Sequence, residues 1–250
     1  MRRLMLSLTL LPLAGLAVER MPLWPDGKMP DCRPRQIAAM ADVAGVPGEC
    51  KDGFDPKRHR TPFLAWFDEQ PEPERRNGIC MILVSGGGCD SCCDGPLVRM
   101  WRERFASIGC VCVNLVCRTP RPKGLPFCHG AWADAQRAIR LVRREAKARG
   151  FDPERIGVIG FSAGALLATL LATSSQTPAA APVDELDGTP CHVAFAVAAA
   201  LPHGYSADRL PSHLSDEFRF DAKTAPLCLL QGGRDPFGVL HASHVYRQLR

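Results

Sequence analysis

The stretch Arg155-Ile156-Gly157-Val158-Ile159-Gly160-Phe161-Ser162-Ala163-Gly164-Ala165-Leu166-Leu167 decides the fold. Arg155 to Ile159 is a short apolar run rich in β-branched residues, which reads as a strand buried on both faces. From Ser162 to about Thr173 the chain is Leu, Ala and Thr with no breaker after Gly164, and that reads as a helix. Gly160-Phe161-Ser162-Ala163-Gly164 must therefore turn the chain from strand to helix within a few residues. Glycine at each end removes side chains that would collide in so sharp a turn, leaving Ser162 strained and its hydroxyl exposed above the carboxyl end of a sheet. The first amides of the helix point at the same spot and favour negative charge there. A serine placed in this way is a candidate nucleophile.

Outward from this turn, strand and helix signals alternate. Buried strands are expected at Ile79 to Ser85 and Cys110 to Val116, with a helix from about Pro96 to Ser107 between them. A helix follows from about Ala131 to Arg149. On it Trp132, Ala135, Ile139, Val142 and Ala146 form one stripe, Arg137, Arg140, Arg144 and Lys147 form a solvated face, and Gly150 is placed to end it. Beyond the serine, strands are expected at His192 to Ala199 and Pro226 to Gln231, with an irregular stretch from about Leu201 to Thr224 between them and a final helix from about Val239 to Gln248. Continuous apolar strands alternating with helices imply an α/β, three-layer α/β/α sandwich around a mostly parallel sheet. The patch from Thr177 to Val183 reads as a surface loop. Residues 18–74 are rich in Pro, Gly and charge and read as a lead-in wrapping the core, with one strand candidate at Thr61 to Phe67. Residues 75–250 form the main domain.

Composition narrows the function classes. The 250 residues are 46% hydrophobic and 23% charged, which suits one domain with a sizeable core and argues against disorder. The net charge is +5, but the basic residues are dispersed and not interleaved with aromatics, so nucleic acid is set aside as a partner. Met1-Arg2-Arg3, the apolar run Leu4 to Leu13 and the small-residue exit Ala14-Gly15-Leu16-Ala17 read as a signal peptide over residues 1–17. The expectation is a secreted or periplasmic protein with nothing left in the membrane after cleavage. Cys80, Cys110, Cys112 and Cys228 lie in apolar runs and read as inert core. The cluster Cys89-Asp90-Ser91-Cys92-Cys93 lacks the further ligands that would complete a zinc site at a recognisable spacing, so no metal is expected; pairing with another loop cysteine is the better reading.

A nucleophile needs an oxyanion site, and two segments offer backbone N–H groups for one. Ala163 follows the serine, and Ser85-Gly86-Gly87-Gly88 follows the first buried strand. With Phe151-Asp152-Pro153-Glu154-Arg155-Ile156 before the serine turn and Pro226-Leu227-Cys228-Leu229-Leu230-Gln231-Gly232-Gly233-Arg234-Asp235-Pro236 near the end, the chain resembles the α/β-hydrolase superfamily. The likeness is to its secreted esterase and lipase-like branch, which includes acetylxylan esterase and feruloyl esterase relatives. The resemblance implies Ser162 as nucleophile, Asp235 as the acid of the triad, and Gly87, Gly88 and Ala163 as the oxyanion hole. Serine stands where the family often has histidine before the glycines.

The resemblance also places the triad histidine one helix and one strand beyond the acid, whereas Arg250 is only fifteen residues past Asp235. The expectation is an α/β-hydrolase fold whose last strand and helix are missing, a truncated copy of an esterase. Of the seven histidines, His241 and His244 read as solvated residues of the last helix, and His203 and His213 could reach the site from the irregular stretch. The implied substrate is a small ester or acylated carbohydrate, cleaved without cofactor. Two other readings stay open: a prolyl-oligopeptidase-like peptidase, although Ala165 stands where those enzymes usually continue in glycine, and an inactive binding protein. Asp90 and Trp101 read as a surface carboxylate and a packed helix residue.

Overall fold

A computed structural model describes residues 18–25, 28–30, 61–91, 95–121, 128–202, 214, 217–235 and 239–250. The leader at 1–17, Cys32, Cys50, Cys92, Cys93 and most of the irregular stretch after Leu201 lie outside the described residues. Seven strands form one sheet: β1 (Val18–Pro22), β2 (Phe63–Phe67), β3 (Cys80–Val84), β4 (Val111–Val116), β5 (Ile156–Phe161), β6 (Phe195–Ala199) and β7 (Leu227–Leu230). Among the described residues four α-helices accompany them: α1 (Pro96–Ser107), α2 (His129–Arg149), α3 (Ala163–Thr173) and α4 (Leu240–Gln248). The strand order is β1-β2-β4-β3-β5-β6-β7. The β1·β2 and β2·β4 pairs are antiparallel, and every pair from β4 to β7 is parallel.

The layers follow from strand periodicity. Successive residues of β3 face opposite ways: Ile82 and Val84 join a large cluster with α2 and α3, while Met81 and Leu83 join a smaller one with Val98 and Trp101 of α1. Trp101 is thus a packed helix residue, as expected. Every residue of β3 and β4 is buried, the signature of strands covered on both faces.

The helix α1 has the expected bounds, whereas β5 continues past Ile159 to Phe161. The lead-in segment does more than wrap the core: Val18–Pro22 pairs with β2 as the outermost strand, Val18 opposite Phe67 and Pro22 opposite Phe63. Five residues that end in proline give little strand signal, yet a proline, having no N–H to donate, is tolerated at such an edge.

Three expectations need correction. Arg137 and Arg140 do not lie on a solvated face. Arg137 is buried and forks onto both carboxylate oxygens of Asp184, at 2.5 Å each, while its Nε donates to the Leu23 carbonyl. Arg140 donates to Asp187 at 3.2 Å and to the Thr189 carbonyl. The cause is the short 3-10 turn Glu185–Gly188, closed by a reciprocal Asp184–Asp187 capping box, which packs its carboxylates over this part of α2. Arg144 and Lys147, farther along, are exposed as expected, and Gly150 ends the helix in the left-handed conformation at φ 72°.

Cys228 is exposed, because β7 is an edge strand with alternate residues turned outward. Cys80, Cys110 and Cys112 are buried as expected, and desolvation pushes the Cys112 thiol up to about 12, which makes it inert. His241 is buried with Ala242 and Val245 on the inner side of α4 instead of being solvated.

The Arg137–Asp184 pair predicts a pH effect. Hydrogen bonds from the guanidinium hold the Asp184 carboxyl below the usual carboxylate range, against an opposing push from burial. A depressed folded-state pKa contributes stability that is complete above the unfolded value of about 4 and lost as pH falls through the folded one. Urea midpoints of the native chain should therefore drop more steeply below pH 4 than those of Asp184→Asn. Parallel curves for the two proteins would show that the pair contributes nothing to acid sensitivity.

Candidate active site

The turn after β5 has the geometry that its glycines demand. Ser162 sits at φ 54° and ψ −120°, a conformation that side-chain-bearing residues rarely adopt. A Cβ on Gly160 would lie 1.9 Å from the Gly164 carbonyl oxygen, and one on Gly164 would lie 2.3 Å from that of Val84. Both contacts are with backbone, so neither position admits a side chain. The Ser162 N–H donates to the Ala199 carbonyl at 3.0 Å, and its own carbonyl accepts from Ala165 and Leu166 at the start of α3. Ser162 thus occupies the N-cap position, where a serine ordinarily spends its hydroxyl on the helix amides. Here the hydroxyl makes no capping bond and is left for other chemistry.

The glycine loop after β3 lies against this turn. A Cβ on Gly86 would be 3.1 Å from the Ser162 Cβ, so the loop's first glycine, not named among the expected oxyanion residues, is the one that allows the close approach. Its signal was its place in the Gly86-Gly87-Gly88 run. Gly87 has φ 123° and faces the Ser91 carbonyl, and its own carbonyl accepts from the Asp90 and Ser91 amides at 3.1 and 3.0 Å. Gly88, at φ 66°, faces open space. On the serine side, Ala163 opens α3, where helix geometry leaves the first amides without an intrahelical acceptor. A small cleft, with room of about 20 Å³, lies between the two segments, lined in part by Ser85, Gly86, Cys89, Ser91, Thr119 and Ala163. Asp90 is a surface carboxylate paired with Arg121 at 3.4 Å.

Asp235 follows β7 at the same carboxyl edge of the sheet. The connections there are linked in sequence: Ser162 N–H to the Ala199 carbonyl, Ala200 N–H to the Leu230 carbonyl, Leu201 N–H to the Gln231 side chain, and Asp235 N–H to the Gly232 carbonyl. Four histidines lie among the described residues, His129, His192, His241 and His244. His192 precedes β6, on the opposite edge, and is bound to Glu154 and Arg143. Among the described residues no imidazole is hydrogen-bonded to Ser162; His203, His213 and Pro236 lie outside them.

Beneath the loop is a feature that the sequence did not announce. Arg118, just past β4, and Asp134 of α2 form a fully buried ion pair, and Arg118 also borders the cleft. Asp134 accepts from the Arg118 amide, from its guanidinium and from Trp24 Nε1.

The BD-FAE family model matches residues 71–201, just over half of the chain. The chain belongs to the BD-FAE family. This BD-FAE region runs from before β3 to just past β6, taking in the glycine loop and the Ser162 turn, and stops before β7 and Asp235. It places the chain among α/β-hydrolase esterase relatives, as the resemblance implied. Esterase LipQ of Mycobacterium tuberculosis is 32% identical over 173 residues, 68% of this chain and 36% of its own length. Endo-1,4-beta-xylanase B of Butyrivibrio fibrisolvens is 31% identical over 87 residues, 34% of this chain and 13% of its own. The BD-FAE chain thus spans about a third and about an eighth of these two curated relatives. Among solved structures, an acetyl ester-xyloside bifunctional hydrolase from Caldicellulosiruptor lactoaceticus superposes with TM-score 0.63 at 23% identity, over 92% of this chain and 80% of its own. Esterase 2 of Thermogutta terrifontis superposes with TM-score 0.62 at 21% identity, over 76% and 74%. These superpositions establish the α/β-hydrolase fold.

Proposed function

We propose that the chain hydrolyses carboxylic esters by acyl transfer through Ser162, on acyl groups carried by polysaccharide or a smaller carbohydrate. The Ser162 Oγ attacks the ester carbonyl, and a histidine held by the Asp235 carboxylate takes its proton. The Ala163 amide, with those of Gly87 and Gly88, stabilises the oxyanion of the tetrahedral intermediate. Collapse expels the alcohol, which receives the proton from the histidine. Water then attacks the acyl-enzyme by the same route and releases the acid. Ser162 follows β5 and Asp235 follows β7, two strands along a parallel part of the sheet, so both connections leave the same carboxyl edge.

The observation that carries this reading is the Ser162 turn: a strained serine whose hydroxyl does not cap its helix, against a glycine loop on one side and the start of α3 on the other. The name of the Caldicellulosiruptor hydrolase and the xylanase relative favour an acylated xylan-like substrate. Export fits a polymer substrate, and a leader over residues 1–17 would direct it before being removed. Among the described residues no helix is long and apolar enough to cross a membrane.

The test is labelling with a fluorophosphonate, in which the serine oxygen bonds to phosphorus and fluoride leaves, beside hydrolysis of short p-nitrophenyl esters. Labelling is expected in the native chain and lost in Ser162→Ala. Labelling that persists in the variant would sink the assignment, as would a native chain inert to both reagents. Replacing His203 and His213 in turn asks whether either supplies the imidazole: loss in one variant names it, and unchanged labelling in both places it elsewhere.

A further inference from the structure

Cys89 follows Gly88 directly, and Cys128 immediately precedes α2. Both are buried, and their sulfur atoms lie 3.2 Å apart although 39 positions separate them in sequence. Cys89 is held at φ 58°, a left-handed conformation that costs energy for a residue with a side chain. The Asp90 and Ser91 bonds to the Gly87 carbonyl fold the loop back at this point, turning Cys89 inward toward α2. A disulfide holds its sulfurs about 2.0 Å apart, so the two thiols already stand in contact and lack only the bond.

We propose that Cys89 and Cys128 are a cross-linking site: in oxidising surroundings they form a disulfide that clamps the glycine loop to the start of α2. The oxidant is a small-molecule disulfide. The Cys89 thiolate attacks one of its sulfurs, forming a mixed disulfide and releasing one thiolate. Cys128 then attacks the Cys89 sulfur, its proton passing to the second departing thiolate. Two protein thiols are oxidised by two electrons, and one small disulfide is reduced to two thiols. Burial pushes the Cys128 thiol well above its ordinary range, with the hydrogen bond to Cys89 adding to the effect. A raised pKa makes Cys128 a slow attacker, and Cys89 lines the cleft, from which a small oxidant reaches it first. Cys117 Sγ, the competing thiol nearby, faces the Ala131 carbonyl.

Mapping the bond needs no assumption about activity. The full chain, equilibrated with oxidised glutathione, is alkylated under denaturing conditions and cut with trypsin and a protease that cleaves before Asp. Cleavage before Asp90 separates Cys89 from Cys92 and Cys93, and fragmentation separates it from Cys80. The expected product is Asn77–Cys89 linked to Gly124–Ala133, absent after reduction. A second measurement follows the melting temperature, which should rise by about 5–10 °C on oxidation of the native chain and not of Cys89→Ser. Two alkylated thiols at these positions, a Cys117–Cys128 link or a Cys89 link to Cys92 or Cys93 would overturn the proposal. Failure of Ser162 labelling would leave the mapped bond untouched.

Discussion

Asp134→Ala should cost about 3–5 kcal/mol of stability, a large part of the roughly 5–15 kcal/mol available to a folded domain. The Arg118 and Asp134 side chains have no exposure to solvent. The carboxylate meets the Arg118 backbone amide at 2.8 Å, the guanidinium Nε at 3.0 Å and Nη2 at 2.5 Å, and Trp24 Nε1 at 2.7 Å. Removing it takes the counter-charge from a guanidinium in the interior, whose Nη1 keeps its bond to the Pro30 carbonyl, and strips Trp24 Nε1 of its acceptor. Loss on this scale comes from the uncompensated charge more than from the pair's own attraction. The double replacement Arg118→Met with Asp134→Leu should therefore lose less than the single one. Urea unfolding at neutral pH checks both: an unfolding free energy for Asp134→Ala within about 1 kcal/mol of the native chain, or a double variant weaker than the single, would remove the argument. Because Arg118 also borders the cleft, partial unfolding here should disturb the loop before the rest of the sheet.

What could be read in the sequence was what neighbours in the chain decide. Helix α1 and the stripe of α2 follow from periodicity over a few turns, and the Ser162 turn from five consecutive residues. Ser162 and the Ser85–Gly88 loop were legible for the same reason. The missed features join distant positions. Val18–Pro22 is a strand only because β2 offers it a partner more than forty residues away. Arg137 and Arg140 have the spacing of a solvated face, and only the arrival of the turn at Glu185–Gly188 pairs them. Arg118 and Asp134 are unremarkable charges until the fold excludes water around both. His241 looked exposed because an isolated helix does not say which side the sheet will cover. Asp235 came from resemblance alone, and its position beside the other connections at the carboxyl edge follows from strand order, which no local pattern encodes.

Gly160→Ala should lower fluorophosphonate labelling at least about 100-fold, since a misplacement of about 1 Å at a reacting group has that scale of effect. The new methyl would lie 1.9 Å from the Gly164 carbonyl oxygen, 2.2 Å from its carbon and 2.7 Å from the Ala165 nitrogen. All three are backbone atoms of the first turn of α3, so no rotamer relieves them. Either α3 shifts away from β5 or the end of β5 bends, and both movements carry Ser162 with them, because its carbonyl is bound to Ala165 and Leu166 and its N–H to Ala199. The overpacking adds about 1–3 kcal/mol of destabilisation. Gly188→Ala provides the control, since nothing lies within 4 Å of its added carbon. That variant should melt and label like the native chain. If Gly160→Ala labels at the native rate, the turn does not need its glycine and the strained serine is not what sets reactivity. If it melts lower by the expected amount yet labels normally, the clash is real but is absorbed away from the hydroxyl, and the link between backbone strain and chemistry fails.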